Sequence, residues 1–211
     1  MHPTDFAPPL VAILRGLTPQ AAPAIGAALF DAGFRLLEVP LNRPGAIEAI
    51  AILARMAPPG ALVGGGTMLT VGHVEQVHAA GGRLLVAPNC NPAVIRRGVD
   101  LGMLCAPGVA TPTEAFQALD AGAHALKIFP AEMVTPAGLK AMCAVLPPAT
   151  PLWPVGGITP QSMAAWKLAG ATGFGIGGAL YQAGVTAAEI ARRAAGFVTT
   201  WHAAENGRIA R

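Results

Sequence analysis

Three lysines and eleven arginines supply the basic side chains of this 211-residue chain, and one lysine sits where a solvated ammonium is not expected. Lys127 follows Leu126 and precedes Ile128 and Phe129, in a short apolar run closed by Pro130, which is the pattern of a buried strand. Burial disfavours the ammonium and lowers its pKa, leaving a free amine that can attack a carbonyl carbon near neutral pH. That is the chemistry of a Schiff-base lysine. The competing reading is a lysine that snorkels out of a strand end or pairs with a structural carboxylate. Lys140 and Lys167 lie at helical polar spacing, where a solvated ammonium is expected.

Of eleven acidic residues, Glu38 alone is flanked on both sides by strand-like apolar residues, Leu36 and Leu37 before it and Val39 after it. A buried carboxylate needs a partner or a raised pKa. Either condition suits a general acid or base working with Lys127, and a structural ion pair with an arginine is the alternative. Arg15 ends an apolar run and precedes Gly16, so its fork can approach an anionic substrate group. Thr67 follows Gly64, Gly65 and Gly66 and offers a hydroxyl and an amide; the same glycines also read as relief of crowding in a sheet. Gly156 with Gly157, and Gly177 with Gly178, follow the last two strand signals and could offer backbone amides to a phosphate. Residues 173–178 match GxGxxG, but no early βαβ unit with a downstream acid supports a dinucleotide site. His73, His78, His124 and His202 show no metal-ligand spacing, so no metal site is expected.

The elements that must position these groups alternate. Eight apolar strand signals, each followed by a helix, recur at roughly 20 to 27 residues along the chain. Helix-opening Thr-Pro pairs stand at 18, 111, 135 and 159, as N-cap and first-turn proline. The fifth strand is read at Met103–Cys105, ahead of Pro107, and the last helix at 186–204. Eight βα units predict a single α/β domain over residues 1–211, a (β/α)8 TIM barrel, with an open doubly wound sheet as the alternative. In a barrel, catalytic side chains converge from the C-terminal ends of several strands.

Composition narrows the class. Hydrophobic residues make up 53% and charged residues 12%, with a net charge of +3; this excludes disorder and provides no basic stripe for nucleic acid. Two long uncharged stretches, 141–166 and 168–188, are broken by prolines and glycines and do not read as membrane spans. No signal peptide is evident, and Cys90, Cys105 and Cys143 read as reduced thiols, so a cytoplasmic location is expected.

These residues taken together resemble the KDPG/KDPGal aldolase family, class I aldolases of 2-keto-3-deoxy-6-phospho sugar acids, over nearly the whole chain. The resemblance is carried by Ile13–Gly16, Leu37–Asn42, Gly64–Thr67, Ala87–Asn89, Leu126–Glu132 and Val155–Ile158. It implies that Lys127 forms the Schiff base, that Glu38 shuttles protons and that Arg15 and Thr67 hold the keto acid. Pro88 and Phe129 are further substrate contacts by the same resemblance, and the late glycine turns receive the phosphate. Asn42 and Val155 match galactonate-type members where gluconate-type members usually carry Arg and Thr. The implied reaction is cleavage of 2-dehydro-3-deoxy-6-phosphogalactonate to pyruvate and glyceraldehyde 3-phosphate, without a cofactor, in a homotrimer. The alternatives are the gluconate epimer as main substrate, or a phosphosugar-binding barrel that forms no covalent bond. Ala179 departs from relatives that place a polar side chain beside the phosphate turn.

Overall fold

The computed structural model describes residues 3–206, in which short parallel strands alternate with helices. After a 3-10 turn at Pro3–Asp5, the order is β1 (Leu10–Ile13), α1 (Ala22–Asp31), β2 (Leu36–Pro40), α2 (Ala46–Met56), β3 (Leu62–Gly66) and α3 (Val71–Ala79). Next come β4 (Leu84–Val86), α4 (Pro92–Asp100), β5 (Leu104–Ala106), β6 (Gly108–Val109), α5 (Pro112–Asp120) and β7 (Leu126–Ile128). The chain continues through α6 (Ala131–Cys143), β8 (Leu152–Pro154), α7 (Pro160–Ala169), β9 (Phe174–Ile176) and α8 (Ala187–Asn206).

The strands form two parallel sheets, one of six strands ordered β5-β4-β3-β2-β1-β9 and one of three ordered β6-β7-β8. The expected eight-stave cylinder is thus seen as two arcs rather than one continuous ladder. Proline explains the first seam. Pro107 has no N–H and splits the fifth stave into β5 and β6, although its carbonyl still accepts from the Lys127 amide at 2.9 Å. The seam is narrow, since the Ala125 amide bonds to Cys105 of β5 while β7 itself pairs with β6. At the second seam, a bridge between Val155 and Gly175 and the Thr172 amide donating to the Leu152 carbonyl at 2.9 Å link the arcs.

Strand residues are buried on both faces, as parallel strands covered by helices must be. Alternation sorts them. Leu10, Ala12, Leu37, Val63, Leu85, Leu126 and Ile176 pack outward beneath the helices. Val11, Leu36, Leu62, Leu84, Val86, Leu104, Ala106, Ala125 and Trp153 meet in a separate inner cluster, plugged by Phe6. Both arcs contribute to this inner cluster, which forms the floor of the site.

Helix caps follow the predicted chemistry at two of the four Thr-Pro pairs without qualification. Thr111 and Thr159 each close a capping box, with Pro112 and Pro160 opening the helices. Thr135, at φ 61°, interrupts α6 and caps its second half by accepting from the Gly138 amide. Thr18 caps a separate turn ahead of α1: its hydroxyl oxygen accepts from the Ala21 amide at 3.3 Å and its carbonyl from the amides of Ala21 and Ala22, and the helix itself starts only at Ala22.

Lys167 also departs from expectation. Instead of being solvated it is 5% exposed, with Nζ 3.6 Å above the Trp201 ring and donating to the Trp201 carbonyl at 3.4 Å. The outward face of α7 at that point is covered by α8, which makes burial of the long stem favourable.

Candidate active site

Glu38 sits on β2 and Lys127 on β7, and the pleat turns both toward the inner cluster. Pairing puts Ile13 and Gly64 beside Glu38, and Gly108 and Trp153 beside Lys127. Glu38 and Lys127 are 2% and 7% exposed and line one small interior cavity together with Val11, Val86, Ala106 and Gly175. The two groups predicted to act together are therefore brought into one space.

The glycines of β3 divide by role. A Cβ at Gly64 would run into the backbone of Leu84, and one at Gly65 into Met68 and Val77, so these two relieve crowding. A Cβ at Gly66 would occupy the position of the Glu38 carboxylate. Gly66 thus makes room for a functional group.

The electrostatics follow from burial. Desolvation pushes the Glu38 carboxyl up to about 7, against the pull of the Lys127 and Arg15 cations. Desolvation likewise lowers the Lys127 amine below its usual range; Glu38 opposes this and Arg15 adds to it. Among the described residues no group hydrogen-bonds Glu38 Oε2. That oxygen is buried against Gly66 and keeps an unused acceptor site.

Above the pair opens a cleft of about 580 Å³ lined by Arg15, Phe129, Gly156, Gly157, Thr159, Gly177, Gly178, Tyr181 and Gln182, among others. Ile13 and Val155 line both the cleft and the interior cavity, so the two spaces adjoin. Phe129 lies beside Lys127, whose Nζ is 4.7 Å from the ring centroid.

Each glycine pair marks a different turn. Gly156 and Gly157 hold φ of 123° and 60°, a left-handed region that suits glycine. The Glu132 carboxylate packs against that turn. After β9, the amides of Leu180 and Tyr181 fold back onto the Gly177 carbonyl in one helical turn, and a Cβ at Gly177 or Gly178 would meet nothing within 4 Å. Of the GxGxxG match, Gly173 and Gly175 are instead packing glycines, against Trp153 and Val155.

Three predicted residues line neither space. Asn42 is exposed in the turn after β2, Pro88 is half-buried after β4, and Thr67 is half-buried after β3. Thr67 has φ 54°, an uncommon conformation for a β-branched residue. Conversely, Tyr181 and Gln182 line the cleft without having been singled out. A signal existed, because Tyr181 is the only tyrosine of the chain and closely follows the last glycine pair.

Among the described residues no three His, Cys, Asp or Glu side chains are grouped to hold a metal ion. His73 and His124 accept hydrogen bonds from the amides of Leu69 and Cys105. No described helix is long and apolar enough to cross a membrane.

The family described as KDPG and KHG aldolase matches residues 7–195. A probable 2-dehydro-3-deoxy-6-phosphogalactonate aldolase of Rhizobium meliloti is 43% identical over 199 residues, 94% of each chain. The 2-dehydro-3-deoxy-6-phosphogalactonate aldolase of Escherichia coli K12 is 45% identical over 93% of this chain and 96% of its own. A solved native KDPGal structure superimposes with a TM-score of 0.92 at 45% identity, covering 94% of this chain and 96% of that one.

Proposed function

Because the chain belongs to the KDPG and KHG aldolase family, we propose that it cleaves 2-dehydro-3-deoxy-6-phosphogalactonate to pyruvate and glyceraldehyde 3-phosphate through a Schiff base on Lys127. The enzyme is a carbon–carbon lyase. The observation that carries the site assignment is the shared burial of Lys127 and Glu38 in one cavity beneath an open cleft.

The uncharged Lys127 amine adds to the C2 ketone, and loss of water leaves an iminium whose nitrogen draws electrons. Glu38 takes the proton of the C4 hydroxyl. The C3–C4 bond then breaks, its electron pair passing into the iminium to form an enamine, and glyceraldehyde 3-phosphate departs. Glu38 returns a proton to C3, and water releases pyruvate and the free amine. A carboxyl that titrates at about 7 can both accept and return a proton at neutral pH.

Arg15 faces the cleft and suits the carboxylate of the keto acid; Thr67 and Pro88 follow β3 and β4 and are assigned to the keto acid by the family resemblance alone. Gly156, Gly157, Gly177 and Gly178 receive the phosphate through backbone amides. The preference for the galacto epimer rests on Asn42 and Val155, and Val155 is supported by its place in the cleft wall. We read the two arcs as one (β/α)8 barrel in a single domain, acting in the cytoplasm without a cofactor. A homotrimer accords with the exposed apolar side chains Met133, Leu168 and Val145.

Incubation with pyruvate and borohydride, followed by peptide mass spectrometry, tests the covalent step: a reduced adduct is expected on Lys127. An unmodified Lys127 would leave only a non-covalent phosphosugar-binding barrel. Comparing kcat/KM on the galactonate and gluconate epimers tests the substrate, with the galactonate expected to be preferred.

A further inference from the structure

We propose that the ring of Phe129 is a catalytic group whose face stabilises the positive charge that the Lys127 nitrogen gains as the iminium forms. The inference rests on the Schiff-base reading above.

Phe129 stands two residues after Lys127, on the same side of the extended chain. Lys127 Nζ lies 4.7 Å from the ring centroid, inside the range of about 6 Å within which a cation is drawn to a π face. The ring also lines the cleft from which substrate arrives. It therefore touches the reacting nitrogen on one side and the entering ligand on the other.

The chemistry needs such a group. When the amine, the ketone and one proton combine, the C2=N bond forms, water leaves, and nitrogen carries a positive charge. That charge is what makes it an electron sink. It arises in a cavity where burial disfavours any cation and where Arg15 is already a second one. Among the described residues, the charged groups that act on Lys127 are Glu38 on β2 and Arg15 after β1, and only Glu38 is opposite in sign. In the proposed cycle Glu38 takes up a proton as the carbon–carbon bond breaks, so its charge changes with the step. The quadrupole of the ring does not. Attraction of this kind is strongest when cation and ring are desolvated, which is the situation of a side chain only 7% exposed.

The test replaces Phe129 in the full chain by monofluoro-, difluoro- and trifluorophenylalanine, and measures the equilibrium yield of the pyruvate imine by borohydride trapping at fixed pH. Fluorine withdraws electron density from the face of the ring and changes its size little. Imine stability is expected to fall stepwise with each fluorine, reaching roughly a 2- to 30-fold loss for the most substituted ring. Phe129→Leu should trap as poorly as the trifluoro variant. Yields that do not follow the number of fluorines overturn the proposal, and so does a leucine variant that traps as well as the wild type. If the wild type itself yields no adduct on Lys127, the Schiff-base reading has failed and this role with it. That outcome is distinct from a flat fluorine series on a wild type that traps.

Discussion

At the scale of single side chains, Lys127 is acted on by two neighbours with opposite effects. The Glu38 charge raises its pKa and the Arg15 charge lowers it. Glu38→Gln removes the first effect, so the pH midpoint of borohydride trapping should move down. Arg15→Gln removes the second, so the midpoint should move up. Both midpoints moving the same way would refute the electrostatic account of this cavity. Turnover behaves differently from trapping. Loss of the acid/base group in Glu38→Gln should slow cleavage by about 10²- to 10⁴-fold while the imine still forms. In the wild type, kcat/KM should rise with pH through about 7 as the Glu38 carboxyl loses its proton. That limb should be missing from the pH profile of the glutamine variant.

At the scale of elements, β3 provides the test. Gly64 pairs with Leu84, and a methyl there would enter the Leu84 backbone. Gly64→Ala should therefore lower stability by about 1–3 kcal/mol or more, seen as a reduced Tm. Gly66→Ala places its methyl where the Glu38 carboxylate lies, so its loss of kcat should exceed what its loss of stability accounts for. Equal effects of the two substitutions on activity, once both are folded, would argue against a special position for Gly66. These roles also mark the limits of reading the chain alone. A lysine and a glutamate inside apolar runs were legible because the anomaly is local, as were Thr111 and Thr159 with a proline beside each. Which glycine serves packing and which serves the site depends on Leu84 and Glu38, which are distant in sequence. Lys167 shows the same limit: its spacing matches a solvated helix face, but the Trp201 ring that covers it comes from another helix. The break at Pro107 was visible as a proline, yet only the tertiary pairing, with the Ala125 amide on Cys105 of β5 and β7 on β6, shows how narrow the seam is.

At the scale of the whole molecule, the buried pair couples function to folding. The Glu38 pKa is about 7 in the fold, above the value of 4.5 for an unperturbed glutamate. Between those two values the folded chain holds a proton that the unfolded chain releases, so this group's contribution is complete below about pH 4.5 and is lost as pH rises through about 7. The slope from one such group is at most about 1.4 kcal/mol per unit of pH. The amide of Glu38→Gln has no charge to desolvate, so this variant lacks that term. Its stability relative to the wild type should therefore rise between about pH 5 and pH 7 and level off above. The Lys127 shift runs in the opposite sense, since its pKa is lowered in the fold. Its contribution is present above the usual lysine range and is lost as pH falls, so its slope has the opposite sign to that of Glu38. Denaturant unfolding of both proteins across this window measures the difference. A difference that stays constant from pH 5 to pH 7 would mean that Glu38 titrates alike in the folded and unfolded chain, and burial would then not be what tunes the acid/base group.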